Sequence, residues 1–145
     1  VCGSMCAVVA VPDFPVSTMA ARNVLPGNVP HSDAVFNVGR TALLVASLAS
    51  GNYANLRYAF DDRLHQPYRS GLVPGMVNAM KAACDSGAIG SYMSGAGPSI
   101  MALIGAGEPA EPVASAMREA FARARVNAAI VMLPMAESGA LAEVV

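Results

Sequence analysis

Short apolar runs and longer stretches with helical spacing alternate along the chain. Residues 5–11 are apolar and rich in valine, and Pro12 follows them, so they predict a buried strand. Ser17 or Thr18 can cap a short helix that extends to Leu25. A strand and a short helix are therefore expected in this part of the chain.

A second, longer helix is predicted between residues 32 and 51. Its apolar positions recur at alternating steps of three and four, which marks one apolar face, and Gly51 stands where a left-handed cap belongs. These positions are Val35, Val38, Ala42, Val45 and Ala49. A third helix is expected over residues 53–64, and Pro67 must break it because proline cannot continue the hydrogen-bond ladder.

The second half of the chain predicts a helix, two strands, a helix and a strand. Pro74 suits the first turn of the fourth helix, and Gly87 ends it. Short strands over residues 89–93 and 99–104 are joined by a glycine-rich turn, and residues 127–133 form the last strand. The final helix places a buried stripe at Val113, Met117, Ala120, Phe121 and Ala124.

This order of elements predicts an α+β fold with a four-stranded antiparallel sheet covered on one face by helices. A split βαβ arrangement related to the ferredoxin-like fold fits the order, with the helix-rich first connection as an elaboration. A length of 145 residues suits one domain over residues 1–145.

Composition and charge exclude several classes of protein. Hydrophobic residues make up 54% of the chain and charged residues 13%, which excludes intrinsic disorder. A net charge of -1 gives no electrostatic reason to expect nucleic acid or an anionic membrane as a partner. No apolar run approaches the roughly 18 to 20 residues that span a bilayer. We therefore expect a soluble globular domain.

Cys2, Cys6 and Cys84 include no CxxC pair, so a disulfide framework is not expected. A four-ligand zinc site would also need His31 or His65, and no local spacing supports one. The sequence thus predicts no metal site and thiols in a reducing compartment, the cytoplasm.

The glycine-rich turn is the clearest candidate for chemistry. Its residues are Ser94, Gly95, Ala96, Gly97, Pro98 and Ser99. The two glycines allow close approach of a ligand or another loop. The turn lacks the Lys-Ser/Thr pair of a Walker loop, and a strand follows it where a dinucleotide fingerprint needs a helix. A tight hairpin and a ligand-binding loop both remain open.

A hydroxyl and a guanidinium stand four positions apart at Thr18 and Arg22, so a helix would project both from one face. Near a helix N-terminus, such a pair suits a carboxylate or a phosphate. The alternative is an N-cap followed by a solvated arginine.

Residues 61–69 combine acidic, imidazole and guanidinium groups. Asp61 and Asp62 are adjacent and would diverge on a helix, so they form no chelating pair. A histidine such as His65, without an identified partner, is typical of a surface or packing position. Arg69 is the better anion-binding candidate because a nearby proline fixes its backbone.

Taken together and in this order, these segments resemble the homoserine kinases of the GHMP superfamily of small-molecule kinases. The matching stretches are VVAVPDFPVSTMAARNVLP, DAVFN, DDRLHQPYRSGLVPG and AIGSYMSGAGPSIMALI, from about Val8 to Ile104. The Ser-Thr-x-x-x-Arg-x-x-Leu-Pro, Pro-x-Arg and Ser-Gly-Ala-Gly-Pro-Ser elements favour homoserine kinases over their mevalonate or galactose relatives. A looser match continues through the final helix and strand.

The resemblance implies transfer of the γ-phosphoryl group of ATP to the side-chain hydroxyl of L-homoserine, on the way to threonine. It implies that Arg22 and Arg69 hold the α-carboxylate of the amino acid and that Thr18 contacts the substrate beside them. Four residues of the glycine-rich turn are implied to support the phosphate loop: Ser94, Gly95, Ala96 and Gly97, of which Gly97 also borders the substrate.

The ATP-binding segment of the family, Pro-x-x-x-Gly-Leu-Gly-Ser-Ser-Ala, does not occur in this sequence. We therefore expect the C-terminal, substrate-facing domain of a kinase, and we expect the N-terminal half of that kinase to supply most of the ATP and Mg²⁺ binding. Alone, the chain should be inactive and should dimerise or aggregate through apolar surface that the N-terminal half would cover. The expected partners are L-homoserine, ATP, that N-terminal half and further copies of the chain.

Two other functions fit the sequence. Ferredoxin-like sheets also serve as non-catalytic amino-acid-binding domains, and fold alone does not separate these from enzymes. A kinase of the same superfamily could instead act on another small alcohol. The two arginines and the glycine turn favour the homoserine kinase interpretation, because a sensor domain would not need all three elements.

Overall fold

The computed structural model describes residues 5–136. The strands are β1 (Cys6–Pro12), β2 (Gly90–Met93), β3 (Ile100–Ile104) and β4 (Ala128–Pro134). The helices are α1 (Thr18–Asn23), α2 (His31–Ser50), α3 (Gln66–Arg69), α4 (Met76–Asp85) and α5 (Glu111–Arg123). Two 3₁₀ turns, Leu56–Tyr58 and Ser70–Leu72, lie before and after α3.

The four strands form one antiparallel sheet in the order β2-β3-β1-β4. β1 is central: its Cys6 lies opposite Ile104 of β3 on one side and Pro134 of β4 on the other. The β2–β3 hairpin and the helical connections before β2 and before β4 give the strand order of a split βαβ sheet. The predicted α+β fold is confirmed.

Helices α4 and α5 cover one face of the sheet and form the main core with it. Fully buried side chains from both layers meet there: Val8, Ile100, Ile104, Met76, Val113, Met117 and Phe121. Each such side chain contributes about 1.5–3 kcal/mol when it leaves water. The predicted stripe on α5 is buried except for Ala124, which is half-buried.

Helix α2 has nearly the predicted extent, but its apolar face is exposed. Gly51 ends the helix in the left-handed conformation, with φ of 70°. The exposed positions are Val35, Val38, Ala42, Val45 and Ala49, hereafter the α2 strip. The helix instead packs through Leu43, Leu44 and Leu48 against a small cluster around Leu56. The face that the valine spacing marked is therefore not the face that packs on this domain.

The helix predicted over residues 53–64 is wrong. Within that range the structure has the 3₁₀ turn Leu56–Tyr58, and turns, bends and irregular backbone make up the remainder. Short polar side chains bind nearby backbone groups here, since Oδ1 of Asn52 accepts from the Ala54 N–H at 3.2 Å. Such local bonds compete with a helix. Pro67 also acts differently from the prediction: it lies in the first turn of α3, where no N–H donor is needed.

Gly90, at the start of β2, lies directly beneath the ring of Phe60. A Cβ at this position would be 2.0 Å from Cδ2 of that ring. The ring in turn stacks on Tyr92, with centroids 5.2 Å apart and planes inclined by 3°. The segment before α3 can therefore approach β2 closely only because position 90 carries no side chain.

Candidate functional site

Helix α1 presents two of the predicted site residues to solvent. Ser17 is its N-cap, because Oγ accepts from the Ala20 N–H at 3.0 Å. Thr18 is therefore the first helical residue, and its hydroxyl is not used as the cap. Thr18 and Arg22 lie one turn apart and are both exposed. Within residues 5–136, the Arg22 side chain makes no hydrogen bond or ion pair.

Arg69, at the end of α3, connects α1 to the glycine-rich turn. Its Nε donates to the carbonyl of Ala21 at 3.0 Å, and its Nη1 donates to the carbonyl of Gly95 at 3.1 Å. Nη2 has no hydrogen-bond partner in the described part of the chain. The structure therefore brings α1, Arg69 and the glycine-rich turn together.

The segment from Ser94 to Ser99 is a tight hairpin turn. The Ser94 N–H donates to the Ser99 carbonyl at 2.8 Å, and the Gly97 N–H donates to the Ser94 carbonyl at 3.0 Å. Gly95 and Gly97 have φ of 58° and 87°, a region that favours glycine. A Cβ at Gly97 would also lie 3.3 Å from Sδ of Met93. The hairpin interpretation describes the backbone, and a ligand role for this turn stays a prediction.

Asp62 organises the backbone that leads into α3. Its carboxylate accepts from the N–H of Leu64 at 2.9 Å, of His65 at 3.0 Å and of Gln66. Nδ2 of Asn37 also donates to Oδ1 of Asp62 at 2.7 Å. The carboxylate side chain is only 5% exposed. Asp62 therefore acts as an anchor for the helix that carries Arg69.

Two opposing effects set the pKa of Asp62. Burial alone would raise this pKa, but the hydrogen bonds from the three backbone N–H groups and from Asn37 together lower it by a larger amount. The net result is a pKa below the usual value of 3.8. Asp62 is consequently an anion at neutral pH, and its bonds to α3 are charge-assisted.

His65 lies between Asp62 and Arg69. Its Nε2 is 3.5 Å from Oδ2 of Asp62, and its Nδ1 is 3.4 Å from Nη1 of Arg69. The imidazole thus has identified partners on both sides, which the sequence did not reveal. Both distances are at the long end of hydrogen bonding, so the ring supports the site chiefly by packing.

Two anchoring residues were not predicted from the sequence. An aspartate between two predicted elements often accepts from backbone N–H groups a few positions further along, as in an Asx turn, and Asp62 could have been found in this way. Gln66 carries no such signal, since its Oε1 accepts from the N–H of Met93, 27 positions further along the chain.

No three His, Cys, Asp or Glu side chains within residues 5–136 are arranged to hold a metal ion. Cys6 and Cys84 are free thiols, and Cys2 lies outside the described residues. Burial, followed by the nearby charge of Asp85, raises the pKa of the Cys84 thiol. A cavity of about 520 Å³ between α3, α4 and β2 includes neither Arg22 nor Arg69. The predicted site residues themselves offer guanidinium, hydroxyl and backbone groups.

These groups are suited to a small anion. Arg22 and the free nitrogen of Arg69 are hydrogen-bond donors that carry positive charge, and guanidinium groups match the planar geometry of a carboxylate. Thr18 adds a hydroxyl on the same helix as Arg22. That these groups bind a carboxylate stays a prediction.

A sequence model of the family described as "GHMP kinases C terminal" matches residues 42–123, which is more than half of the chain. The chain belongs to this family. The predicted resemblance to GHMP kinases is thereby confirmed.

Curated members of the family match most of the chain. The homoserine kinase of Desulfitobacterium hafniense is 45% identical over 134 residues, which cover 92% of this chain and 45% of that protein. The homoserine kinase of Thermus thermophilus is 47% identical over 110 residues, which cover 76% of this chain and 37% of that protein. The chain therefore spans less than half the length of these relatives.

Solved structures show the same domain. The crystal structure of homoserine kinase from Cytophaga hutchinsonii superposes with a TM-score of 0.86 at 34% identity, over 90% of this chain and 42% of that chain. The phosphomevalonate kinase of Streptococcus pneumoniae superposes with a TM-score of 0.58 at 14% identity, over 91% of this chain and 41% of that chain. The second likeness shows the fold alone. Among residues 5–136, no helix has the length and apolar character needed to cross a membrane.

Proposed function

We propose that this chain is the C-terminal, substrate-facing domain of a cytoplasmic homoserine kinase. The enzyme transfers the γ-phosphoryl group of ATP to the side-chain hydroxyl of L-homoserine. Homoserine kinases that are 45% and 47% identical to the chain support this substrate. The observation that carries the proposal is the position of Arg69, which contacts both α1 and the glycine-rich turn.

In this proposal, Arg22 and Arg69 bind the α-carboxylate of homoserine, and Thr18 contacts the substrate next to them. Each charge-assisted contact contributes about 1.5–3 kcal/mol, which is enough to select an amino acid over a simple alcohol. The site needs no general base of its own, because phosphoryl transfer depends mainly on positioning and on charge stabilisation.

The glycine-rich turn has a supporting role in the proposal. Ser94, Gly95, Ala96 and Gly97 support the phosphate loop, and Gly97 borders the substrate. The positive φ of Gly95 and Gly97 favours this role, since it lets the backbone turn without a side chain in the way. The contact from Arg69 to the Gly95 carbonyl links the turn to the carboxylate site.

The N-terminal half of the kinase is proposed to bind ATP and Mg²⁺. The phosphate-loop pattern of the family does not occur in these 145 residues, and relatives are more than twice as long as the segment they share with this chain. The exposed α2 strip supports the same division, because a row of valines on a helix surface is typical of a contact between domains. We propose that the N-terminal half covers it.

The proposal is tested by reversing the charge of Arg22 in the full-length enzyme that contains this chain. Arg22→Glu is expected to raise the KM for homoserine by about tenfold to a hundredfold, since one charge-assisted contact is lost. The KM for ATP should change less than about twofold. Arg118→Glu is the matched control, because Arg118 is an exposed arginine on α5. An equal loss for both ligands would assign Arg22 to phosphate binding or folding and contradict the proposal.

Two further measurements distinguish the proposed function from its two alternatives. A non-catalytic amino-acid-binding domain would bind homoserine in calorimetry without any ATP-dependent product. A kinase for another alcohol would show a higher kcat/KM for a mevalonate-type substrate than for homoserine. Robust phosphorylation by the 145-residue chain alone would contradict the proposed division between the two halves.

A further inference from the structure

Helix α3 is one turn long, yet residues at its two ends reach different parts of the proposed site. It contains four residues, Gln66–Arg69. A helix of this length is not stable by itself, because forming the first turn fixes several residues for a single backbone hydrogen bond. Side-chain contacts from outside the helix must therefore hold it in place.

The first such contact comes from Asp62. Its buried carboxylate accepts from the N–H groups of Leu64 and His65, which precede α3, and of Gln66, the first residue of α3, whose N–H has no partner within the helix. Asn37 of α2 holds Asp62 in turn, through Nδ2 to Oδ1 at 2.7 Å. Oδ1 of Asn37 also accepts from the Arg63 N–H at 2.9 Å. The segment that leads into α3 is thus fixed to the first half of a 20-residue helix.

The second contact is made by Gln66. Its Oε1 accepts from the Met93 N–H at 2.8 Å, and its Nε2 lies 3.4 Å from the Phe60 carbonyl. Gln66 is 8% exposed, so this amide is among the buried polar groups of the domain. Met93 immediately precedes the glycine-rich turn. One end of α3 therefore fixes where that turn begins, and the other end places Arg69 on the Gly95 carbonyl.

We propose that Asp62 is a positioning residue for substrate binding, because it fixes α3 and thereby fixes the position of Arg69 relative to the glycine-rich turn. This inference rests on the proposed function, in which Arg69 binds the carboxylate of homoserine. Asp62 itself does not touch the substrate in this scheme. It acts through the backbone of α3 and through Gln66.

The physical basis is the cost of losing a buried acceptor. Without the carboxylate, three backbone N–H groups at the start of α3 lose their partner in a site where water has little access. The one-turn helix would then shift or fray, and Arg69 would move with it. A displacement of about 1 Å in a substrate-positioning group is enough to lower turnover by a large factor.

The experiment compares two substrates in the full-length kinase: homoserine and the amino alcohol that carries a hydroxymethyl group in place of its carboxylate. The quantity measured is the ratio of kcat/KM for homoserine to kcat/KM for the amino alcohol. Because both rates scale with the fraction of folded enzyme, a purely structural loss leaves this ratio unchanged. Misplacement of Arg69 lowers it, since only homoserine offers a carboxylate.

Asp62→Asn is expected to lower the ratio by about tenfold or more, because a misplaced Arg69 loses its charge-assisted contact to the carboxylate of homoserine. Asp61→Asn is the matched control, because it removes the neighbouring carboxylate, which is 59% exposed and 3.8 Å from Arg40. The control should keep the ratio within about twofold. A folded Asp62→Asn enzyme with an unchanged ratio would overturn the inference.

If Asp62→Asn does not fold, Asn37→Ala provides the decisive test, since it removes both side-chain contacts by which α2 holds this segment, to Oδ1 of Asp62 and to the Arg63 N–H, and leaves the carboxylate in place. A fall in the ratio supports the inference, and an unchanged ratio overturns it. Assays of the wild-type enzyme distinguish a failure of this inference from a failure of the proposed function. Wild-type enzyme that does not phosphorylate homoserine, or does not prefer it to the amino alcohol, contradicts the function itself.

Discussion

Nη1 of Arg69 donates a hydrogen bond to the carbonyl of Gly95 across 3.1 Å, between residues 26 positions apart in the sequence. The same guanidinium donates from Nε to the carbonyl of Ala21, 48 positions away. Arg69 is therefore both a candidate ligand-binding group and a connection between three segments of the fold. Arg22 differs from it, because its side chain is exposed and unpaired within residues 5–136.

This difference predicts different outcomes for two lysine substitutions. Arg69→Lys should lower the melting temperature and the affinity for homoserine together, because one ammonium group cannot reproduce both backbone contacts. The expected loss in the free energy of unfolding is about 1–3 kcal/mol. Arg22→Lys should weaken homoserine binding without changing the melting temperature. Calorimetric melting of both variants tests this, and equal destabilisation by the two substitutions would contradict it.

A methyl group at position 90 should destabilise the fold. Gly90→Ala would place Cβ 2.0 Å from Cδ2 of the Phe60 ring, so the ring would have to shift from its stacked position on Tyr92. We expect a loss of about 1–3 kcal/mol in the free energy of unfolding, as for other overpacked cores. Thermal unfolding followed by circular dichroism measures it.

Gly39→Ala is the matched control for that substitution. Gly39 lies inside α2, and a Cβ there would have nothing within 4 Å. The same change should therefore stabilise the protein by roughly 0.5–1 kcal/mol, because alanine favours a helix over glycine. A stable Gly90→Ala variant would show that the Phe60 ring moves more freely than its packing indicates.

The pKa of Asp62 predicts how stability depends on acid. The folded-state pKa of this carboxyl lies below its unfolded value near 3.8, so its anionic form stabilises the native state above that pH. The contribution is lost as the pH falls from about 4 through the lower folded-state pKa. Asp62→Asn should therefore flatten this part of the stability profile. Urea unfolding at a series of pH values measures the slope, and identical slopes in both proteins would contradict the prediction.

The α2 strip predicts self-association of the chain when it is prepared alone. Val45 is 61% exposed on this strip, and Val77 on α4 is exposed to the same extent outside it. Val45→Glu should reduce dimers or aggregates of the isolated chain in sedimentation velocity, whereas Val77→Glu should not. A monomeric wild-type chain at high concentration would contradict the assignment of this surface as an interface.

The sequence predicts the sheet and its helices well where the pattern is local. The valine run of β1, the stripe of α5 and the glycine that ends α2 each follow from side-chain periodicity or from the backbone freedom of one residue. Residues 53–64 do not form the helix that their apolar spacing predicts, because the side chains of Asn52 and Asp62 bind nearby backbone groups. The short-range polar contacts determine the structure there.

The candidate site was predictable in part. Thr18, Arg22, Arg69 and the glycine-rich turn were selected from residue type and spacing, and the structure places α1 and the turn on either side of Arg69. Their ligand-binding roles stay predictions. Gln66 was missed because its bond to the Met93 N–H spans 27 positions, and the sequence does not encode such a contact as a local pattern. Asp62 was missed although its backbone bonds lie within four positions, because a helix was expected over residues 53–64.

The amide of Gln66 also bears on the solubility of the protein. An open border of a sheet can recruit a strand from another molecule and so begin fibre growth. At β2 the outward N–H of Met93 is already bonded to Gln66, so an incoming strand would have to displace that amide. The β2 border is therefore less open to strand addition than its place at the end of the strand order indicates.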